Sequence, residues 1–431
     1  MSEPPMYIKR RSLLAGLGGA ALATGSVRLT PALADTEALK IGVINPQIKD
    51  CAVVGLPVTR GVQMWAEELN AAGGVNIGGQ RVKLDVRGYD NACYTAGEEL
   101  KAARRAILED GCKYVLQTYT PACRRAIATL TNEQKVLSIA YGAGYVSKEF
   151  PFLMGGVSGS PLANMVIMSH MLAQHPEVKR VAILTNDTSF GKAGKTYMEA
   201  GVAPYADRVQ IVYNESYNPS ASSDMLGLLT PVIAQNPDLI FELGFEGPTK
   251  ALMVSTATQL GFTGIFGSEL WDMPLFIEQG LAAETAGRLY SSPVIDGSEP
   301  TISPRVNTFY KNYIERFGIG QWSPWASIAY ATAATLEAGW AAAKSADPSI
   351  VKDTLYGLET VAHPIFGDSK WSGEEIFGVN HHLLTPMIMY KTDQAGNVVA
   401  DKTIDTSAWW AMNKDKALPT LKAGGQIFAQ N

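Results

Sequence analysis

Histidine, cysteine and long apolar runs are all scarce in this chain of 431 residues. There are five histidines, and the adjacent pair His381 and His382 would point to opposite faces if it lay on a strand. The four cysteines have irregular spacing and no neighbouring histidine, which is not the pattern of a zinc site. We therefore expect no bound metal.

The sequence also lacks the common catalytic and cofactor motifs. The nearest match to a Gly-x-Ser-x-Gly elbow, residues 156–160, is one glycine short. There is no Walker lysine and no His-Glu-x-x-His motif, and the only glycine cluster resembling a dinucleotide turn, residues 16–19, lies in a segment we expect to be removed. No carboxylate pair has an obvious catalytic spacing. These absences predict a protein that is not an enzyme and holds no cofactor.

Charge of one sign does not dominate either. The chain has 36 basic and 41 acidic residues, and without its N-terminal segment of net charge +3 the formal charge falls from −5 to −8. A mildly acidic, well-mixed surface argues against nucleic acid as a partner. Apolar residues make up 46% of the sequence, which is enough for the cores of two domains.

The N-terminus has the features of an export signal. Arg10 and Arg11 precede an apolar run that extends to about Val27, and Ala32-Leu33-Ala34 then supplies a cleavage site. The paired arginines indicate the twin-arginine route, and the apolar run is too short for a good membrane span. We expect residues 1–34 to be removed, leaving a soluble protein that starts near Asp35 and acts outside the cytoplasm.

Strand-like and helix-like segments alternate in two successive runs, which predicts two doubly wound lobes with parallel sheets. The first run has strands at 39–45, 82–89, 114–118 and 136–140, with helices at 59–72, 94–109 and 122–132. The second has strands at 181–185, 209–213, 239–243 and 265–267, with helices at 190–203, 225–234 and 249–260. Helices at 303–317 and 324–343, strands at 363–366 and 387–391 and a turn at 393–396 follow. Because this C-terminal part follows two complete lobes, it must pack against them. The chain would then cross between the lobes several times, and the hinge would consist of several segments.

Parallel sheets bind ligands beyond the carboxyl ends of their strands, so the loops there are candidates for a site in a cleft between the lobes. Residues 118–120 offer hydroxyl groups before a helix whose N-terminus favours an anion. Residues 142–144 let the backbone approach a ligand. Aromatic side chains at Phe190, Phe245 and Trp271 are suited to an apolar wall, and Glu269 to an ammonium or a hydroxyl.

Several motifs resemble those of the periplasmic solute-binding proteins of the leucine/isoleucine/valine-binding family, the receptors of branched-chain-amino-acid-type ABC transporters. The resemblance covers nearly the whole mature chain. The motifs are Ile41-Gly42-Val43, Asn70-Ala71-Ala72-Gly73-Gly74, Tyr89-Asp90-Asn91-Ala92-Cys93, Ser189-Phe190-Gly191 and Phe266-Gly267-Ser268-Glu269.

The resemblance implies a type I periplasmic binding fold with three hinge crossings, and no catalysis. It places residues 35–156 and 294–362 in lobe one, and residues 157–293 and 363–431 in lobe two. It further implies a periplasmic monomer that binds a small solute and docks on the membrane permease of an ABC transporter. The ligand-binding residues it implies are Tyr119, Thr120, Ala122, Gly142, Ala143, Gly144, Phe190, Phe245, Glu246 and Glu269. In the family, the residue matching Glu269 receives the ammonium of an amino acid.

Departures from the family pattern leave the ligand open. The usual Gly/Ser/Ser-rich loop after the third strand reads here as residues 117–122, and Gly144 stands where a hydroxyl is expected. The ligand is therefore a branched-chain or related amino acid or, alternatively, an aromatic acid, an amide or another small organic anion. The family disulfide implies a Cys93–Cys123 pairing, with Cys51 and Cys112 unassigned. A periplasmic sensor is an alternative role for the same fold, and an exported hydrolase with an unfamiliar site is a third.

Overall fold

The computed structural model describes residues 37–48, 51–93, 96–117, 121–140, 146–156, 162–218, 223–245, 247–269, 271, 273–291, 297 and 303–429. The predicted export signal and residues 118–120 and 141–145 lie outside this part of the chain. Within it, no helix combines the length and the apolar character needed to cross a bilayer.

Strands and helices alternate through most of the chain. The strands are β1 (Leu39–Asn45), β2 (Val75–Ile77), β3 (Gln80–Val82), β4 (Leu84–Asp90), β5 (Tyr114–Gln117), β6 (Leu137–Ala140), β7 (Leu153–Gly156), β8 (Arg180–Asn186), β9 (Gln210–Tyr217), β10 (Leu239–Leu243), β11 (Ile265–Ser268), β12 (Leu289–Ser291), β13 (Val361–His363), β14 (Gly367–Ser372), β15 (His382–Leu384), β16 (Met387–Thr392) and β17 (Val398–Ile404).

The α-helices between the strands range in length from 4 residues in α9 to 20 residues in α1. They are α1 (Ala52–Ala71), α2 (Ala96–Arg104), α3 (Pro121–Glu133), α4 (Leu162–Gln174), α5 (Ser189–Val202), α6 (Met225–Ile233), α7 (Gly247–Gln259), α8 (Met273–Glu278), α9 (Leu281–Glu284), α10 (Pro304–Phe317), α11 (Trp325–Ala343), α12 (Pro348–Gly357), α13 (Glu374–Phe377) and α14 (Thr406–Ala423). A π-helical turn, Arg105–Glu109, extends α2.

Two mixed sheets form the centres of the two lobes. The first has the order β13-β14-β15-β7-β6-β5-β1-β4, and the second has the order β17-β16-β12-β11-β10-β8-β9. In each sheet a central set of parallel strands is extended by antiparallel strands at one edge. Central strands such as β5, β6 and β10 are buried along their whole length, which is expected for a parallel sheet covered on both faces. The predicted fold class is confirmed.

Between the strands that the structure describes, the chain passes from one sheet to the other three times. These crossings fall between β7 and β8, between β12 and β13, and between β15 and β16. The last one differs from the expected division at residue 363, because β14 and β15 pair in the first sheet. After this last crossing, β16 and β17 join the second sheet.

The first lobe is packed around a helix pair. α1 and α11 cover the sheet, and Trp65 of α1 stacks on Trp340 of α11 with ring centroids 6.1 Å apart. Both tryptophans are fully buried, as is Tyr114 of β5, whose ring meets Trp340 edge to face. Burying large side chains supplies most of the apolar stabilisation of such a core.

Most predicted strands match observed ones, and one predicted strand and the start of one predicted helix differ. The strand expected at 363–366 is instead a turn between β13 and β14, in which the His363 side chain accepts backbone N–H groups from Ile365 and Phe366. The helix expected from Thr59 begins earlier, at Ala52, with Pro57 inside it.

The predicted Cys93–Cys123 disulfide is wrong. The structure joins Cys51 to Cys93, with their Cα atoms 5.4 Å apart. β4 pairs with β1, so the segments that follow these two strands lie side by side. β5, which precedes Cys123, pairs with the opposite edge of β1. Cys112 is buried and carries a free thiol.

Candidate functional site

The carboxyl ends of the second sheet bring polar and aromatic residues together. Parallel pairing aligns β8, β9, β10, β11 and β12 so that their ends meet at one edge. Tyr217 ends β9, Glu242 lies one residue before the end of β10, and Ser268 ends β11. Sheet topology thus brings Tyr217 and Ser268 to the same edge, although they are more than fifty residues apart in the sequence.

Glu242 is the centre of a buried hydrogen-bond network at this edge. Its Oε1 atom accepts the Tyr217 hydroxyl at 2.8 Å and the Phe245 backbone N–H at 2.7 Å. The carboxyl group is fully buried. Burial raises the pKa of the Glu242 carboxyl, while the nearby Lys250 ammonium and these hydrogen bonds act in the opposite direction.

Lys250, in the first turn of α7, is the cation that faces this carboxylate. Its Nζ atom donates to Ser268 Oγ at 2.7 Å and lies 3.5 Å from Glu242 Oε2. The same ammonium lies 5.4 Å from the centre of the Trp271 ring, which is within the range of a cation–π contact. Only 3% of Lys250 is exposed, so its charge is compensated within the protein.

The structure places three of the predicted ligand residues at this end of the second sheet. Phe245 is buried and stacks on Tyr217 with ring centroids 4.3 Å apart. Glu269 follows Ser268 directly and is also buried, while its backbone carbonyl accepts the Ser291 hydroxyl at 3.1 Å. Phe190 is half-buried against the core of the second lobe at the start of α5.

Local sequence explains why α5 starts at this edge. Thr188 is its N-cap, and the Thr188 hydroxyl accepts the Gly191 N–H at 3.2 Å. Such a cap satisfies one of the free N–H groups at a helix start. Phe190 therefore lies in the first helical turn after β8.

The remaining predicted residues give less information. Tyr119, Thr120, Gly142, Ala143, Gly144 and Glu246 lie outside the described residues. Ala122 is in the first turn of α3, and its side chain is not part of the description. The assignment of all ten residues to ligand binding stays a prediction.

The described part of the first lobe contributes polar groups near its own strand ends. The Gln47 backbone N–H donates to Asp90 Oδ1 at 2.6 Å, which links the segment after β1 to the last residue of β4. The Gln117 side-chain amide donates to the Ser138 hydroxyl, which links β5 to β6. These bonds connect neighbouring strands of the first sheet.

A cavity of about 280 Å³ lies between the two lobes. The first lobe contributes the start of α1 and the segment before α11, and the second contributes the start of α7 and part of α8. The lining residues are Val53, Val54, Gly247, Pro248, Lys250, Leu275, Glu278, Ile319, Gly320, Trp322, Ser323 and Pro324. Most of these residues are apolar, as is common for small-molecule sites.

Sequence reasoning missed Glu242, Lys250 and the segment from Ile319 to Pro324. A glutamate inside an otherwise apolar strand, followed eight residues later by a lysine on a helix, is a signal that could have drawn attention to the first two. No local pattern marks the Ile319–Pro324 segment, since its position depends on how α10 and α11 pack.

The two adjacent histidines contact different neighbours, since His381 directly precedes β15 and His382 is its first residue. The His381 ring stacks on Tyr356 at 3.9 Å, whereas the His382 ring stacks on Phe377 at 5.1 Å. Burial lowers the pKa of His381 to about 4, and Lys352 contributes to that shift. Among the residues that the structure describes, no group of histidine, cysteine and acidic side chains could hold a metal ion.

Comparison with known proteins identifies the family. A family model described as "Periplasmic binding protein" matches residues 38–397, a range that includes strands of both sheets. The chain belongs to the periplasmic binding protein family. The resemblance read from the sequence motifs is confirmed, and the family and fold are those of solute-binding proteins.

A curated relative and two solved structures illustrate the similarity. Leu/Ile/Val-binding protein homolog 8 of Brucella suis is 25% identical over 272 residues, which is 60% of this chain and 62% of the relative. The chain thus matches less than two thirds of that relative's length.

The solved structures cover more of the chain at lower identity. The match to a leucine-binding protein of Thermotoga maritima spans 86% of this chain and the whole of that protein, with 20% identity and a TM-score of 0.62. A second solved structure is a solute-binding protein of an ABC transporter from Rhodopseudomonas palustris in complex with p-hydroxybenzoic acid. The match spans 88% of this chain and the whole of that protein, with 18% identity and a TM-score of 0.67. These likenesses show a common fold.

Proposed function

We propose that this protein is the extracytoplasmic receptor of an ABC transporter, which captures a small organic solute between its lobes and delivers it to a membrane permease. The observation that carries the proposal is the cavity lined by both lobes, with apolar walls and the buried Lys250. Family membership and the predicted export signal support it.

Capture in such a receptor follows from the fold. A solute that contacts both lobes stabilises the closed arrangement, because those contacts exist only when the lobes approach each other. The three crossings are the natural hinge. A permease can then distinguish the closed, loaded form from the open form. We further propose that the protein is exported to the periplasm, begins near Asp35 and acts as a monomer.

We propose that the solute is an amino acid, branched-chain or related. Glu269 would receive its ammonium, and the hydroxyl and backbone groups of residues 119–122 and 142–144 its carboxylate. Phe190, Phe245 and Glu246 would complete the site from the second lobe. An aromatic acid is the second candidate, favoured by the p-hydroxybenzoic acid bound in the relative from Rhodopseudomonas palustris.

Calorimetry of the purified protein against amino acids, aromatic acids and amides tests this proposal. We expect one class to bind, to raise the unfolding temperature and to reduce the radius of gyration measured by X-ray scattering. A ligand at a hundred times its Kd would stabilise the folded state by about 2.7 kcal/mol. If no solute in a broad panel binds or shifts the unfolding temperature, the protein is not such a receptor.

A Glu269→Ala variant separates the two solute classes. Removing the buried carboxylate should abolish the binding of an ammonium-bearing solute, because the ammonium would then be buried without a partner. Binding of a plain aromatic acid should change little. An unchanged affinity for an amino acid would show that Glu269 does not receive its ammonium.

A further inference from the structure

We propose that residues 426–429, which follow α14, form a strap that restrains closure of the two lobes and thereby sets how tightly the protein binds its solute. The inference rests on the proposed function, because it concerns the regulation of that binding site. The contacts between this strap and α13, and the positions of the strap and the cavity relative to the two sheets, carry the inference.

The helix that the strap contacts is shared between the lobes. α13 connects β14 to β15, and both of these strands pair in the first sheet. Ile376 and Phe377 of α13 nevertheless lie in a core cluster that contains residues of α5, α14 and the second sheet. A movement of the first sheet relative to the second lobe would therefore pull on α13.

The strap contacts α13 through its backbone and an aromatic ring. The Phe428 backbone N–H donates to the Ile376 carbonyl at 2.6 Å. The Phe428 ring lies nearly parallel to the Phe377 ring, with centroids 5.7 Å apart. The Phe377 ring also stacks on His382 of β15. Phe377 thus connects the strap to a strand of the first sheet.

The strap is held to the second lobe at its own start. The Tyr197 hydroxyl of α5 donates to Gln426 Oε1 at 3.0 Å, and the Gln426 backbone N–H donates to the Leu421 carbonyl of α14 at 2.8 Å. Just before the strap, a Cβ atom at Gly424 would lie 2.3 Å from the Thr196 side chain of α5. The chain is therefore packed closely on α5, and the strap moves with the second lobe.

An ion pair from α14 adds a second contact to α13. Lys414 Nζ donates to Glu375 Oε1 at 2.7 Å, and the Trp410 indole N–H donates to Glu375 Oε2 at 3.4 Å. Burial raises the pKa of the Glu375 carboxyl, but the bonds to Lys414 and Trp410 outweigh burial and leave that pKa below its usual value. The carboxylate is therefore charged at neutral pH and pairs with Lys414.

In the first sheet, the strands that lead into two of the crossings separate the strap from the cavity. The strand order places β14 on the far side of β15 and β7, and it places β6, β5 and β1 on the other side. The start of α1, which follows β1, lines the cavity. α13, which connects β14 to β15, lies at the opposite edge.

In the second lobe, the strap and the cavity lie on opposite faces of the sheet. Val181 and Ile183 of β8 belong to a core cluster with residues of α5 and α14, against which the strap packs. Ala182 and Leu184 belong to a different cluster with residues of α7 and α8, the helices that line the cavity. Successive residues of a strand point to opposite faces, so the sheet itself separates the strap from the cavity.

The crossings couple these two sides in opposite senses. A rotation that brings the lobes together at the cavity moves them apart on the other side of the crossing strands. Closure on a solute therefore stretches the contacts between the strap and α13. The apparent Kd of a receptor rises as the fraction of molecules able to close falls, so the strap lowers the affinity.

Deletion of the strap tests the inference. A chain that ends at Gly425 lacks the ring stack and the backbone bond to α13 but keeps α14 complete. Leucine and p-hydroxybenzoate are the probes for calorimetry. We expect the shortened chain to bind one of them about three- to tenfold more tightly than the wild type, because a hydrogen bond and a ring contact no longer oppose closure.

Two substitutions with a matched control refine the test. Phe428→Ala removes the ring contact, and Glu375→Gln removes the charge that pairs with Lys414 while keeping the side-chain size. Each should tighten binding about two- to threefold. Glu98→Gln is the control, since it breaks an exposed ion pair with Lys101 within α2 and should bind as the wild type does. A change that only reduced stability would not tighten binding.

X-ray scattering without solute provides a readout that does not depend on the ligand. The double variant Glu375→Gln/Phe428→Ala keeps the full chain length. We expect its solute-free radius of gyration to be smaller than that of the wild type, because its lobes close more often. The radii of the two proteins saturated with solute should agree.

The outcomes separate the inference from the proposed function. If the folded double variant binds the probe no more tightly than the wild type, the strap does not restrain closure and the inference is overturned, while the receptor function stands. If the wild type binds no solute of the wider panel, the proposed function fails. Scattering then decides the role of the strap, and equal solute-free radii overturn it.

Discussion

At the scale of single residues, His363 shows how one side chain shapes a turn. Its Nδ1 atom accepts the N–H groups of Ile365 and Phe366, each at 3.2 Å, and its Nε2 atom lies 3.1 Å from the carbonyl of Ala331. This pattern requires a neutral ring with its proton on Nε2. Burial, together with the charge of Arg305, lowers the pKa of His363 to about 3.

Acid should destabilise the protein through this residue. In the unfolded chain a histidine takes up a proton near pH 6.5, whereas folded His363 stays neutral until about pH 3. The unfolded state then binds more protons, so the free energy of unfolding should fall by up to about 1.4 kcal/mol per pH unit below pH 6.5. Urea unfolding between pH 7.5 and 4.5 measures this slope.

His363→Asn is the matched variant, because the amide oxygen can still accept the turn N–H groups but cannot titrate. We expect a shallower loss of stability in acid than in the wild type, with a remainder from His381. Parallel pH profiles for the two proteins would show that His363 is not the titrating group.

At the scale of elements, the order of strands decides the disulfide. The 42-residue separation between Cys51 and Cys93 is closed because β1 and β4 run side by side. The sequence contains four cysteines and three possible pairings, and local pattern does not choose among them. Only the position of β1 between β4 and β5 does so.

Cys51→Ser should lower the free energy of unfolding by about 2–4 kcal/mol, since the closed loop restrains the unfolded chain. Cys123→Ser should leave it nearly unchanged. Denaturant unfolding compares the variants, and peptide mapping without reduction identifies the linked cysteines directly. Recovery of a peptide containing Cys93 joined to Cys123 would contradict the structure.

At the scale of the whole molecule, two of the three crossings leave the first sheet side by side. β7 and β15 are paired in parallel, with Gly156 opposite Leu383, and each strand ends where the chain leaves for the second sheet. Gly156 has φ of +100°, and a Cβ atom there would lie 2.4 Å from the Leu383 carbonyl oxygen. Glycine is needed both for the conformation and for the close approach.

Gly156→Ala should therefore destabilise the protein by about 1–3 kcal/mol, the cost of a strained backbone. Gly97→Ala is the control, because Gly97 lies in α2 with open space around its Cα and should gain up to about 1 kcal/mol. Thermal and denaturant unfolding measure both. Equal stability of Gly156→Ala and the wild type would mean that this crossing is free to rearrange.

The sequence by itself determined the alternation of strands and helices and the family. Strands such as Leu239–Leu243 are short, apolar and bounded by turns, so local physics suffices to find them. Motifs such as Tyr89-Asp90-Asn91-Ala92-Cys93 indicated the family. The position of Phe245 and Glu269 at the strand ends of the second sheet was predictable because parallel strands place their carboxyl ends at one edge.

Only the tertiary structure decided what depends on which distant segments become neighbours. The Cys51–Cys93 bond, the pairing of β14 and β15 with the first sheet and the Tyr217–Glu242 hydrogen bond all join residues whose local sequence does not show their partner. The cavity between the lobes likewise depends on which distant segments become neighbours. Pairwise proximity across a fold is set by packing of the whole chain, whereas propensity and periodicity act only over a few turns.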